Sequence, residues 1–147
     1  MSLTGLEVFD ATIQETNLWL KGVMMRLRTE NRHHAYIALK AVLHALRDRI
    51  GPENAVHLGA QLPLLLRGVY YEAWHMAGTP TKERHEAQFL DRVADGFSRG
   101  MEFDTQGVTR AVFEVMWERI DPGEVAKIIK LLPKELWDLW PAVARKT

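Results

Sequence analysis

The stretch RIGPENAVHLGAQLP, residues 49–63, returns as RIDPGEVAKIIKLLP, residues 119–133, with a constant spacing of 70 residues (Arg49 to Arg119) and no gap. Around it, residues 41–66 align with 111–136 and share Ala41/Ala111, Val42/Val112, Arg49/Arg119, Ile50/Ile120, Pro52/Pro122, Leu62/Leu132, Pro63/Pro133 and Leu66/Leu136. Both prolines and most apolar positions match, whereas positions expected to face solvent differ. Matching of that kind preserves architecture rather than chemistry. Proline lacks an N–H and has a fixed φ, so it opens a helix where that donor is not needed and stops the one before it. The phrase therefore predicts a unit used twice: a helix, a proline-started short helix and a proline-started third helix. Two copies are too few for a solenoid, so the halves are expected to pack face to face about a pseudo-two-fold axis.

Helical periodicity extends in both directions from this core. Leu6, Phe9 and Ile13, then Leu20, Val23, Met24 and Leu27, mark one long amphipathic helix, interrupted by RTENRHH (28–34). AYIALKAVLHALRDRI (35–50) places Leu39, Val42, Leu43, Leu46 and Ile50 on one face without an interior Gly or Pro, and Gly51-Pro52 ends it. PLLLRGVYYEAWH (63–75) predicts a helix reaching His75, and MAGTPT (76–81) a loop. KERHEAQFLDRVADGF (82–97) follows with Phe89, Leu90, Val93 and Phe97 inward, then the connector SRGMEFDTQG (98–107). VTRAVFEVMWERI (108–120) repeats the helix of 38–50. Asp121 is expected to cap the next helix, with Glu124 reaching back, and Pro133 to open the last one. Pairing Phe9 and Ile13 with Phe89 and Val93 duplicates the preceding helix too, with about ten extra residues in the first copy. No period-2 alternation supports a strand. The expected fold is all-α, a single helical domain over 1–147 with a first unit at 4–75 and a second at 82–144.

Composition narrows the function classes. With 147 residues, 47% of them apolar, and five Trp, the chain has material for one real core. No uncharged apolar run is long enough to cross a membrane, and MSLTGLEVFD lacks the features of a secretory signal. No membrane association and a cytoplasmic location are expected. Cysteine is absent, which excludes disulfides, thiol nucleophiles and thiolate metal sites. Lys plus Arg equal Asp plus Glu at 19 each, without the basic excess of a nucleic-acid binder, so no nucleic-acid partner is expected.

The strings RHHAYIALKAVLHALRDRIGPENAVHLGAQLPLLLRGVYYEAW (32–74), KERHEAQFLDRVA (82–94) and RAVFEVMWERIDPGEVAKIIKLLPKELWDLWP (110–141) together resemble a bacterial family of two-repeat, all-helical proteins catalogued only as a domain of unknown function. The resemblance covers roughly residues 9–141. It implies an all-α fold and a bacterial cytoplasmic setting, and it brings no activity, cofactor or catalytic residue.

Local chemistry is sparse. Glu72 and His75, and again Glu30 and His33, form Glu-x-x-His, the spacing that helical di-iron proteins use. That arrangement also needs bridging carboxylates from two further helices, which Glu15 and Glu114 supply only weakly, so no metal is expected. His44 and His57 sit near apolar faces, where a hydrogen-bonded packing histidine is the ordinary case. Ser2 and Ser98 lie in no nucleophile setting, and no Gly-rich phosphate loop is present. No catalytic residue and no cofactor are expected. If a local site exists, it belongs where the copies stop matching, after Leu66/Leu136. Arg67, Tyr71, Glu72, Trp74 and His75 follow there, with His85 returned by the loop. They are the candidate binding residues, for a partner or for a small anion held by Arg67. The expected function is a non-catalytic helical interaction or regulatory module with a protein partner or self-association as a homo-oligomer. The alternative is a small-ligand, metal-binding or enzymatic site between the two helical units.

Overall fold

Glycine and proline place the helix boundaries. In the computed structural model, which describes residues 2–146, Gly51 sits at φ 86° and turns the chain from α2 (Arg32–Ile50) into α3 (Pro52–Gly59). That left-handed angle suits glycine, and Pro52 takes the first helical position, where its missing N–H costs nothing. At the matching place Asp121 caps α7 (Pro122–Leu131), its carboxylate accepting the Gly123 N–H at 3.1 Å. Pro63 and Pro133 precede α4 (Leu64–Tyr71) and α8 (Lys134–Trp137) with nearly identical backbones, φ −54° ψ 146° and φ −55° ψ 146°. With α1 (Glu7–Leu27), α5 (Glu86–Asp95), α6 (Thr105–Arg119) and α9 (Ala142–Arg145) they make nine helices and no strand among the described residues. The polar interruptions are caps. Asn31 accepts the His34 N–H at 3.1 Å before α2, and Asp104 the Gly107 N–H at 3.2 Å before α6. The chain is all-α. Met1 and Thr147, the ends of the expected 1–147 domain, lie outside the described residues.

The core follows from how these helices meet. α2 and α6 pack on each other, α1 lies against both, and α5 lies against both; α4 rests on α1 and α8 on α5. Leu43 and Leu46 from α2, with Phe113 and Met116 from α6, are fully enclosed, and Leu62, Leu132, Leu66 and Leu136 are buried at the two Leu-Pro turns. Each such side chain contributes about 1.5–3 kcal/mol on leaving water. Buried residues keep the 70-residue spacing beyond the aligned stretch, as Trp19/Phe89, Val23/Val93 and Tyr70/Trp140. Close approach of α5 to α2 depends on Gly96, where an added Cβ would stand 2.8 Å from the Ala41 Cβ.

Several expectations are corrected: α6 begins at Thr105, inside the expected connector 98–107, and the helix that Pro133 opens is not the last, since α9 follows Pro141. Phe9 is not the counterpart of Phe89: it is 49% exposed, while Trp19 and Val23 fill the buried places. At the 70-residue spacing the start of α1, residues 7–15, none of which is buried, aligns with the non-helical stretch 77–85. α4 does not reach His75 but ends at Tyr71, with Ala73 in the left-handed region at φ 56°. The cause is Arg47 on α2, whose Nη1 donates to the carbonyls of Tyr70 and Glu72 at 2.7 and 3.0 Å. Those carbonyls are taken by the side chain, and the backbone leaves the helix there. Glu124 does not reach back to its cap; it faces Lys127 at 3.4 Å.

Candidate functional site

The six residues singled out from the sequence do not gather on one helical face. Arg67 is committed to backbone: Nε donates to the Gly59 carbonyl at 2.9 Å and Nη2 to the Leu62 carbonyl at 3.1 Å, closing the end of α3. At the matching position Trp137 Nε1 donates to the Leu132 carbonyl at 2.8 Å. Two unlike side chains thus perform one capping task, and a small anion finds little of Arg67 free. Tyr71 is half-buried, stacked on Trp74 at 5.3 Å between ring centres and edge-on to Tyr70 at 5.0 Å. A Cβ at Gly59 would overlap the Tyr71 ring, so that glycine is what admits it. Trp74 is half-buried and its Nε1, enclosed, has no hydrogen-bond partner. These aromatics fill a gap between α3, α4 and the departing chain.

Glu72 and His75 are exposed, and because α4 has ended they do not share a helical turn. Glu72 instead meets Lys40 at 3.6 Å. His85 stands before α5, its Nδ1 3.2 Å from Glu135 on α8. Glu135 also accepts the Glu86 N–H at 2.6 Å, and these contacts, the backbone one first, hold its carboxyl below the usual carboxylate range. Glu30 and His33 fall on opposite sides of the Asn31 cap. No group of three His, Asp or Glu side chains able to hold a metal occurs among the described residues.

Sequence reasoning missed an exposed apolar surface. Leu64 and Leu65 at the start of α4 are 52% and 47% exposed, beside the first turns of α1 with Leu6, Val8 and Phe9. The two helices are tied by the Leu65 N–H, which donates to Thr12 Oγ1 at 2.8 Å. Phe9 lies one turn before Thr12 on α1. The aligned stretches of sequence carried the signal. Seventy residues on from Leu64 and Leu65 stand Lys134 and Glu135, both exposed, so leucines occupy one stretch where charged residues occupy the other.

A second feature lies between α3 and α7, a cleft of about 210 Å³. Its lining falls into pairs 70 residues apart, among them Asn54/Glu124, His57/Lys127 and Leu58/Ile128. The first member of each polar pair is uncharged or a histidine and the second is charged, so the cleft is polar on both sides over an apolar floor.

A comparison with curated proteins found no match. No helix among the described residues is long and apolar enough to cross a membrane. The model of the family described as "Uncharacterized conserved protein (DUF2267)" matches residues 16–139. The match begins after the exposed first turns of α1 and runs through both Leu-Pro turns to the last buried leucine, Leu139. The chain therefore belongs to the DUF2267 family of uncharacterized conserved proteins.

Proposed function

We propose that this chain is a non-catalytic interaction module, built from two copies of one helical unit and docking an apolar helix of a partner protein, a second copy included, across α1 and α4. The observation that carries the reading is the pair Leu64 and Leu65, exposed at the start of α4 where it is tied to Thr12 of α1, while the aligned positions 70 residues on hold Lys134 and Glu135. Large apolar side chains gathered at solvent positions mark interaction surfaces more than scattered ones do. The duplication is supported by the 70-residue spacing of buried positions and by helix contacts that occur in matching pairs: α1 on α6 with α5 on α2, and α4 on α1 with α8 on α5. An interaction face then arises by changing the surface of one copy while both keep the core. The neutral net charge accords with a protein partner rather than a nucleic acid.

The test is a photo-crosslinking amino acid placed at Phe9 or Leu65 in the protein expressed in its native host. Discrete adducts from those two positions, absent when the probe replaces Lys130, are expected. Their mass distinguishes a second 16.9 kDa chain from another protein. No adduct, or the same pattern from all three positions, would remove the interaction face.

The cleft between α3 and α7 favours a second reading, a small-ligand or metal site between the halves. Analysis of bound metal and a melting scan against divalent ions address it, because a ligand of the folded state raises the melting temperature. Absence of both metal and shift would discard the metal version.

A further inference from the structure

The segment between the two units folds back over the end of α2. The Thr81 N–H donates to the Asp48 carbonyl at 2.9 Å, and Arg49 Nε to the Glu83 carbonyl at 2.8 Å. Between this segment and α2 lies a cleft of about 520 Å³. Arg49, Lys82 and Arg84 line it, the chain from Gly78 to Thr81 forms its other wall, and no lining residue is an acid.

The nearby carboxylates are already engaged. Arg47 holds Asp48 through Nε at 2.8 Å, and Glu83 is buried and paired with Arg92. The side chains of Lys82 and Arg84 are exposed and meet no acid or carbonyl among the described residues. Arg49 uses only Nε, leaving both terminal nitrogens. In a chain of zero net charge, three cations around one cleft concentrate positive potential that its own acids do not balance. Two guanidinium forks suit the paired oxygens of an oxyanion, and the lysine adds a movable point charge. A single carboxylate would leave most of that charge uncompensated, whereas a phosphate group carries nearly two negative charges. The volume exceeds a bare phosphate and falls in the range of small-molecule pockets.

We infer that this cleft binds a small phosphate-bearing molecule, with Arg49, Lys82 and Arg84 as the groups that hold its phosphate. It is separate from the apolar face on α1 and α4. It also differs from the sequence expectation, since Arg67 is spent on carbonyls of α3 and its following turn.

The experiment is calorimetric titration of the full chain with inorganic pyrophosphate in low-salt buffer. Saturable binding at one site is expected. Lys82→Gln and Arg84→Gln, neither of which removes a contact within the protein, should each weaken it by about tenfold, the effect of losing one charged hydrogen bond. Lys130→Gln, a remote exposed cation, should leave it unchanged, and circular dichroism should show all three variants folded. The inference is overturned if no saturable heat appears, or if Lys130→Gln weakens binding as much as the other two. Acetate binding as tightly as pyrophosphate would overturn the phosphate class. A single-stranded oligonucleotide binding far more tightly than pyrophosphate would overturn the small-molecule class and point to nucleic acid.

Discussion

Arg47 is the residue whose surroundings depart furthest from ordinary surface chemistry. It is 3% exposed, yet its guanidinium is matched by Asp48 and by two carbonyls at the end of α4. Arg47→Met keeps much of the volume but leaves the Tyr70 and Glu72 carbonyls without their donor. Urea unfolding should show a loss of about 2–4 kcal/mol, and Arg47→Lys should recover only part of it because an ammonium cannot fork. Seventy residues on, the aligned position holds Trp117. His44 carries the pH dependence between neutrality and pH 5. Burial, chiefly, holds its imidazole below the usual 6.5, although Nε2–H donates to the Val69 carbonyl at 2.8 Å and opposes the shift. The unfolded chain therefore takes up the proton first. The stability is fully present above pH 6.5 and is lost as pH falls through the lower value in the folded protein. His44→Gln should flatten the fall in melting temperature from pH 7 to 5. Glu135 and Asp10, carboxyls held below their ordinary values of 4.5 and 3.8, contribute only at lower pH.

At the scale of the helices, the inward faces of α2 and α6 are interchangeable in role. Leu46 and Met116 are both fully buried, and truncation of either to Ala should cost about 2–5 kcal/mol in equilibrium unfolding. His75→Ala, at an exposed position without partners, should cost roughly 0.5 kcal/mol or less. Equal effects would mean the helix register is wrong. His34 is a poorer control than its polar setting suggests, because its ring lies edge-on to Phe103 at 5.5 Å. The proline-started helices α3, α4, α7 and α8 were legible in the sequence because prolines, caps and 3.6-residue periodicity act locally, whereas α6 starts three residues before its apolar pattern and α9 was not foreseen. The end of α4 was not legible either. A helix pattern continued through Tyr71 to His75, and the group that interrupts it, Arg47, lies 23 residues before the Tyr70 carbonyl it binds. The pairing of α1 with α5 is hidden for a related reason. Phe9 and Phe89 look alike locally, while only packing shows that Trp19 is the residue enclosed. The surroundings of the candidate residues were hidden in the same way: Arg67 donates to the Gly59 and Leu62 carbonyls and Tyr71 stacks on Trp74, contacts set by tertiary packing.

Taken as a whole molecule, the chain keeps one continuous core from Trp19 to Ala144 and carries its differences at the surface. The first turns of α1 stand outside that core, ahead of Thr16, where the family match also begins. They carry Leu6, Val8 and Phe9 without burying any of them, and they flank Leu64 and Leu65. Their place in the account is docking, not stability. Deleting residues 2–14 separates those roles, since none of those residues is buried and the side-chain hydrogen bond they give to the rest of the chain is that of Thr12 with Leu65. The decisive measurement is urea unfolding of this shortened chain together with crosslinking from a probe at Leu65. The account predicts a single cooperative transition, weakened by only about 1–2 kcal/mol for one hydrogen bond and partial apolar contact, with loss of the discrete crosslinked product. A shortened chain that no longer unfolds cooperatively, or one that crosslinks as the full chain does, would contradict it.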